Sequence, residues 1–231
     1  MSAVLFGSIG TVVETSEVQR AAFNEAFQQH RLSWQWTRSE YQDLLIHSGG
    51  RHRIEAYAKS RGESVDTAAI HSTKSEIFQQ AIREGSMQPR PGVADLIRDA
   101  KKHGVKVALV TTTSRGNIDA LLSSVARAVE ARDFDLIVDV TQVDEPKPSP
   151  DCYKFAIQQL DETTDSCIAI EDNVDGVSSA KAADLTCVAF PGNNTTDHVY
   201  SGSEICTQEL SWDLLGPVSY THLRAHETYT Y

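Results

Sequence analysis

The chain has 231 residues, a formal net charge of −11 and a pI of about 5.1. This length suits one α/β domain with a sizeable insertion, and it can bury a core without disulfide support. The acidic balance argues against a nucleic-acid partner, because it offers no basic surface for phosphates. The four cysteines lack CxxC spacing and no apolar run reaches about 18 residues, so we expect free thiols, no membrane segment and a cytoplasmic protein.

Short apolar runs and helical patterns alternate along much of the chain. The predicted strands are rich in β-branched residues: Ala3–Phe6, Val105–Val110, Leu136–Val140, Cys167–Ile170 and Thr186–Phe190. The predicted helices between the later strands are Val93–His103, Asn117–Glu130, Asp151–Leu160 and Val174–Ala183. Strands that are apolar on both faces and alternate with helices are typical of a parallel sheet covered on both sides. The predicted core is therefore a doubly wound α/β sheet.

Between the first two predicted strands, only helical patterns occur. Capping-box sequences at Ser16 and Thr37 open the first two of four helices. The Pro-rich turn Pro89–Gly92 marks the return to the sheet, and hinge strands are expected near Glu14 and Pro89. The predicted division is a core of residues 1–14 and 89–217 and an all-helical cap of residues 15–88.

The last residues differ in character from the rest of the chain. Val218–Thr228 reads VSYTHLRAHET, which resembles an in-frame translation of a transposase sequencing adapter. We therefore expect residues 218–231 to be a fusion scar outside the fold, with the native sequence cut short near Gly216.

Polar residues follow the predicted strands, where an open parallel sheet binds its ligands. The four segments are Gly7–Thr11, Thr111–Ser114, Glu145–Asp151 and Glu171–Gly176. Phosphate is bound by hydroxyls, amides and cations, and Mg²⁺ prefers hard oxygen ligands, so each segment offers suitable chemistry. A lone loop lysine or a lone acidic pair at a helix start is commonplace. The order in which the segments occur is what indicates a site.

That order resembles the signature motifs of the haloacid dehalogenase (HAD) superfamily, in the subfamily of capped phosphatases similar to β-phosphoglucomutase and CbbY. The resemblance implies a HAD-like, Rossmannoid core with the helical cap inserted after the first strand. It also implies that Thr111 and Thr112 hold a phosphoryl oxygen, that Lys147 neutralises the phosphate, and that Glu171 and Asp172 support Mg²⁺. The implied activity is phosphoryl transfer from a small phosphorylated sugar or acid.

The first motif departs from the family pattern. Family members read Phe-Asp-x-Asp-Gly-Thr, whereas this chain reads FGSIGT over Phe6–Thr11. In the family, the first Asp attacks phosphorus and binds Mg²⁺, and the second is the general acid and base. Gly7 and Ile9 stand at these positions and supply neither carboxylate. Mg²⁺ binding is therefore expected to be weak or lost.

Neighbouring residues offer poor replacements for the missing carboxylates. Ser8 lies between the two positions, and in an extended segment its side chain would point away from the site. Glu14 matches the acidic hinge residue of the family rather than its nucleophile. Gln19 stands where the family usually has a histidine in the first cap helix.

The cap contains a weaker substrate motif. Ser48–Ile54 reads SGGRHRI, which resembles the Gly-Gly-Lys-Glu-Arg-Ile segment of CbbY-type sugar-bisphosphate phosphatases. The resemblance implies that Gly50 and Arg51 face a non-reacting phosphate, with Arg53 a lesser candidate. A Gly-Gly turn before a helix suits an anion, although a solvated helix start is an equal alternative.

Three functions remain open from the sequence. We favour a non-catalytic binder or regulator for a small phosphorylated metabolite, since loss of a carboxylate beside Lys147 would leave that lysine unpaired and receptive to an anion. The alternatives are an active, Mg²⁺-dependent phosphatase that acts on a small phosphorylated sugar or acid through divergent residues, and different chemistry on the same scaffold. The sequence identifies no protein partner.

Overall fold

The computed structural model describes residues 1–216, so the predicted scar at 218–231 lies outside the described residues. Its sheet has six strands in the order β3-β2-β1-β4-β5-β6, and every neighbouring pair is parallel. The strands are β1 Ala3–Phe6, β2 Lys106–Val110, β3 Leu136–Val138, β4 Cys167–Glu171, β5 Thr186–Ala189 and β6 Ile205–Cys206. The predicted parallel α/β sheet is confirmed.

Nine α-helices of the described part are bounded as follows: α1 Ile9–Val12, α2 Ser16–Gln29, α3 Arg38–Leu44, α4 Gly50–Arg61, α5 Thr67–Glu84, α6 Val93–Lys102, α7 Arg115–Ser124, α8 Asp151–Leu160 and α9 Val174–Ala182. Helix α2 begins one residue earlier than its predicted cap allows. Thr15 holds the N-cap position, and the Ser16 hydroxyl donates to Glu14 Oε1 instead of capping the helix. The capping box at Thr37 is present as predicted, with both reciprocal hydrogen bonds.

Strand β1 lies at the centre of the sheet, between β2 and β4, and all four of its residues are buried. The chain builds β2 and β3 on one side of β1 and then crosses to build β4 and β5 on the other. The loops after β1 and β4 therefore diverge to opposite faces of the sheet. Such a switch point is where open α/β sheets place their ligands.

The two faces of the sheet bury separate apolar clusters. Alternate residues of β1 point to opposite sides, so Phe6 packs with one cluster and Leu5 with the other. The first cluster includes apolar residues of α6 and α7, and the second includes residues of α8 and α9. Burial on both faces explains why the strand sequences are almost wholly apolar.

Helices α2 to α5 enclose a third, aromatic cluster. The Trp36 ring lies 4.8 Å from both the Phe23 and Phe27 rings and stacks at 6.0 Å on Tyr41. These helices join the sheet region where Val13 pairs with Pro89 in an isolated antiparallel bridge. The bridge lies beside the predicted hinge positions, and the division into core and cap stays a prediction.

Two further observations concern the cysteines and the lengths of the apolar helices. All four cysteines are free, and three of them are buried. Among residues 1–216, no helix is both long and apolar enough to cross a membrane.

Candidate active site

A cavity of about 600 Å³ lies between the carboxyl ends of the strands and helices α2 to α5. Its lower wall, which we call the core wall, is formed by the loops after β1, β2 and β4 and by the loop before α8. Its upper wall, the cap wall, carries polar and basic side chains. The cap-wall residues used below are Gln19, Tyr41, Gly50, Arg51, Arg53, His71 and Lys74.

The loop after β1 turns at once into a short helix. The Ser8 hydroxyl accepts hydrogen bonds from Gly10 N at 2.9 Å and Thr11 N at 3.3 Å, and so caps α1. Ile9 is buried in the apolar cluster beneath the cavity. The core wall therefore has no side chain at position 7 and an aliphatic one at position 9.

Lys147 and Glu171 form an ion pair beneath this loop. Lys147 Nζ lies 2.7 Å from Glu171 Oε1, and Lys147 and Glu171 are 5% and 0% exposed. The ammonium also donates to Val110 O at 2.9 Å and to Gly7 O, which uses all three of its protons. Lys147 is therefore fully paired, and the expectation that it is left unpaired is wrong.

Tyr153 completes the buried cluster around Glu171. Its hydroxyl donates to Glu171 Oε1 at 2.7 Å. Burial raises the pKa of Glu171, and Lys147 only partly offsets it. Burial also acts against the charge of Lys147, but the Glu171 carboxylate more than compensates and raises the pKa of Lys147. Tyr153 could not be singled out from the sequence, since it lies on an ordinary apolar face of α8.

Glu171 fills the space beside Gly7. A Cβ atom added to Gly7 would lie 2.2 Å from Glu171 Cδ and 2.3 Å from the Tyr153 hydroxyl oxygen. Glu171 does not line the cavity, whereas Asp172, the next residue, does. The place of a nucleophilic side chain is thus taken by a carboxylate that faces away from the ligand space.

Ser8 faces the cavity, contrary to the prediction that it points away. Its hydroxyl donates to Asp172 Oδ1 at 2.8 Å. The prediction assumed an extended segment, but α1 begins at Ile9, and an N-cap side chain points over the first turn of its helix. Asn173 Nδ2 also donates to Asp172 Oδ1 at 2.8 Å.

The loop after β2 lines the cavity with hydroxyls. Thr111 is buried, and its Oγ1 accepts a hydrogen bond from Thr113 N at 3.2 Å. Thr112 is half-buried and lines the same wall. The Thr113 hydroxyl accepts from Asn117 Nδ2 at 2.9 Å. The Thr111 hydroxyl proton can therefore serve an oxyanion in the cavity.

The cap motif divides between exposed and buried residues. Arg51 is exposed, and Arg51 Nε lies 3.4 Å from the Thr67 hydroxyl. Gly50 begins α4 closely beside His71, since a Cβ at Gly50 would lie 2.8 Å from His71 Nε2. Arg53 is 8% exposed and donates to the carbonyls of Leu44 and His47, both at 2.9 Å. Arg53 thus orders the loop before α4.

Lys74 is a buried cation that the sequence reading missed. It is 3% exposed, donates to Gln19 Oε1 at 2.9 Å, and lies 4.7 Å from the Phe23 ring centroid. Burial, together with a smaller contribution from the Arg53 charge, lowers the pKa of Lys74 to about 7. No carboxylate contacts this ammonium within the described residues.

Two other polar residues of the cap wall are His71 and Tyr41. Burial lowers the pKa of His71 to about 4, so its imidazole is neutral at pH 7. The Tyr41 hydroxyl is fully buried and has no hydrogen-bond partner within the described residues. Lys74 was detectable, because it interrupts the buried stripe Ile70, Phe78 and Ile82 of α5 at helical spacing.

A model of the haloacid dehalogenase-like hydrolases matches residues 1–184. The chain belongs to this family. The CbbY protein of Cereibacter sphaeroides is 38% identical over 207 residues, which cover 88% of this chain and 90% of that protein. The CBBY-like protein of Arabidopsis thaliana is 31% identical over 216 residues, which cover 88% of this chain and 67% of that protein.

Solved structures agree with this assignment. CbbY from Rhodobacter sphaeroides in complex with phosphate has a TM-score of 0.84 and 37% identity, covering 94% of this chain and 96% of its own. β-Phosphoglucomutase from Clostridium difficile has a TM-score of 0.80, covers 97% of this chain and 99% of its own, and shares the fold at 16% identity. The HAD-like fold and the CbbY-like relationship inferred from the motifs are confirmed.

The residues of this HAD-family chain do not fit a Mg²⁺ ion. Glu171 is bound to Lys147 and Tyr153, so Asp172 is the one member of the predicted acidic pair at the cavity. Within residues 1–216, no group of three or more His, Cys, Asp or Glu side chains is arranged to hold a metal ion. The Glu171 and Asp172 side chains therefore point to different places, and they do not form the pair of metal ligands that the motif implies.

Proposed function

We propose that the protein binds a small phosphorylated metabolite in this cavity and lacks the aspartate-dependent phosphoryl transfer of the HAD family. The observation that carries the proposal is the core wall at Gly7, where Glu171 and Tyr153 fill the nucleophile's space. Covalent transfer needs an attacking group there, and Gly7 has none. Loss of the second carboxylate at Ile9 removes about a further 10²–10⁴-fold in rate.

Anion binding is supported by unbalanced positive charge on the cap wall. Lys74 has a neutral amide as its acceptor, and the buried Arg53 has only backbone carbonyls. A buried cation without a counter-ion is costly, so an anionic ligand that reaches Lys74 gains a strong charge-assisted contact. The core wall would add the Thr111 and Thr112 hydroxyls, whereas Lys147 has no proton left to donate.

The ligands bound in related structures are compatible with this class of ligand. CbbY from Rhodobacter sphaeroides is known in complex with phosphate, and a variant with one Asp-to-Asn substitution is known in complex with xylulose-1,5-bisphosphate. Both are 37% identical to this chain, and their TM-scores are 0.83 for the xylulose-bisphosphate complex and 0.84 for the phosphate complex. We infer a phosphorylated sugar or acid as the ligand here.

Two measurements test the proposal. Hydrolysis of an aryl phosphate by the wild-type protein with Mg²⁺ is expected to be negligible, and turnover comparable to that of ordinary phosphatases would contradict the inactive assignment. A thermal-shift series with inorganic phosphate and sugar phosphates is expected to show stabilisation. The absence of a shift with every phosphate would contradict the binding assignment.

One observation favours a second function, phosphatase activity through Ser8. The Ser8 hydroxyl lies in the cavity and donates to Asp172, which could accept its proton during attack on phosphorus. The phosphoryl group would pass from the leaving alcohol to Ser8 Oγ, and the proton to the alcohol. Both lone pairs of Ser8 already accept backbone amides, which disfavours attack. A phosphoryl adduct on Ser8, found by peptide mass spectrometry after substrate addition, would establish this function.

A further inference from the structure

We propose that oxyanions bind in this cavity without a divalent cation. The phosphate-binding half of this statement rests on the proposed function, whereas the metal half depends only on the donor atoms of the core wall. Three features carry it: the orientation of Glu171, the hydrogen bonds that Asp172 and Glu14 already accept, and the positive charge on the cap wall.

Glu171 cannot reach a metal ion in its observed position. Its Oε1 atom accepts protons from Lys147 and Tyr153, and its Oε2 atom has no hydrogen-bond partner. That second oxygen does not point into the cavity, because a Cβ added to Gly176 would lie 2.1 Å from it. Both oxygens are therefore held between Gly7, Tyr153 and α9.

Mg²⁺ is usually held by one or two carboxylates together with water and phosphate oxygens, and the carboxylates left on this wall already have other partners. Asp172 Oδ1 already accepts from Ser8 and Asn173. Glu14, the other carboxylate near this wall, accepts from Ser16 N and Asn193 N. Within the described residues, a metal ion on this wall would therefore have Asp172 Oδ2 as a carboxylate oxygen without a hydrogen bond, and Glu14 would have to share oxygens that already order the surrounding loops.

The charge balance also disfavours a divalent ion. In an acidic site, Mg²⁺ offsets the repulsion between carboxylates and phosphate. Here the buried Glu171 carboxylate is already matched by Lys147, and the cap wall carries Lys74 and Arg53 without counter-ions. The anion thus meets protein cations on the cap wall, and an added Mg²⁺ would be repelled by the same cations.

Two titrations test the proposal with the 231-residue chain. Electron paramagnetic resonance of Mn²⁺ measures metal binding directly, and calorimetry with inorganic phosphate, in EDTA and then in excess Mg²⁺, measures anion binding. We expect no saturable Mn²⁺ binding, and a phosphate affinity that changes by less than about twofold between the two buffers. One-to-one Mn²⁺ binding that Mg²⁺ competes away, or a loss of about tenfold or more in phosphate affinity in EDTA, would overturn it.

Gly7→Asp/Ile9→Asp and Gly7→Ala form a matched pair for this assay. Both must displace the Glu171 carboxyl group, but only the first adds carboxylates to the wall. We expect the aspartate variant to bind Mn²⁺ at least about tenfold more tightly than Gly7→Ala. The wild-type titration decides the metal question whatever the variants do. If phosphate fails to bind in both buffers, the proposed function fails while the Mn²⁺ result still stands.

Discussion

The core wall and the cap wall each bury a lysine, but they treat its charge in opposite ways. On the core wall, Lys147 is matched by the Glu171 carboxylate at 2.7 Å and by two backbone carbonyls. On the cap wall, Lys74 has one amide oxygen and two aromatic rings as neighbours. Among the described residues, a ligand therefore meets unmatched positive charge on the cap wall and not on the core wall. Lys147, the lysine of the family motif, is occupied by contacts within the protein.

Among the tests of this contrast, replacement of Lys147 is expected to have the largest effect, on the stability of the fold. Lys147→Met leaves Glu171 buried without its counter-ion, and we expect a loss of about 3–5 kcal/mol in the free energy of unfolding. Urea denaturation measures it. The matched double variant Lys147→Met/Glu171→Gln removes both charges and should recover much of the loss. If Lys147→Met alone were as stable as the wild type, the pairing would not matter to the fold.

Replacement of Lys74 should have the opposite effect on stability. The pKa of Lys74 is about 7 in the folded protein and 10.5 ordinarily. Between these values the unfolded chain holds a proton that the folded chain has released, so stability rises with pH through this window. Below pH 7 the folded protein bears the whole cost of the buried charge.

We therefore expect Lys74→Met to stabilise the protein by on the order of a few kcal/mol at pH 6 and by progressively less towards pH 10. Thermal unfolding of both proteins across this pH range tests the expectation. A pH-independent difference between the two proteins would contradict it. Lys101→Met is a suitable control, because Lys101 is an exposed lysine paired with Asp133.

Ligand affinity should separate the two basic residues of the cap wall. We expect Lys74→Met to weaken phosphate or sugar-phosphate binding by about tenfold or more, because a desolvated charge is lost. Arg51→Met should change affinity by about twofold, since Arg51 is exposed and screened. Calorimetry measures both. A larger effect at Arg51 than at Lys74 would restore the role that the sequence motif implied.

The smallest expected effect concerns Ser8 on the core wall. Ser8→Ala removes the N-cap of α1 and its bond to Asp172, and should cost about 1 kcal/mol of stability. Phosphate binding should change little, because the variant alters no cation. A disproportionate loss of phosphate release from an aryl phosphate would instead point to Ser8 as a nucleophile.

Much of the fold could be predicted because strands β1 to β5 have short apolar sequences. Strands β1 to β5 were anticipated from their β-branched residues, and Thr37 was recognised as a cap from Glu40 three residues later. The two-residue strand β6 is too short to leave a pattern. The similar motif at Ser16 failed because Glu14 accepts the hydroxyl that would have capped the helix.

The site was predictable only in part, because its chemistry depends on side-chain direction. The absence of carboxylates at positions 7 and 9 is visible directly in the sequence, which has Gly7 and Ile9 there. The position of the Glu171 side chain, away from the cavity, could not be predicted, since it depends on space beside Gly7 that only the packed structure shows. Lys74 lay within reach, because a lysine in an apolar helical stripe must be buried or break the helix face.

The glycines that flank Glu171 bear on how this sequence could change over generations. A side chain at Gly7 or Gly176 must displace a carboxyl group already bound to Lys147 and Tyr153. A Gly7→Asp substitution alone would therefore disturb this ion pair while position 9 still lacked a carboxylate. The packing around Glu171 thus makes a single change to aspartate at position 7 costly.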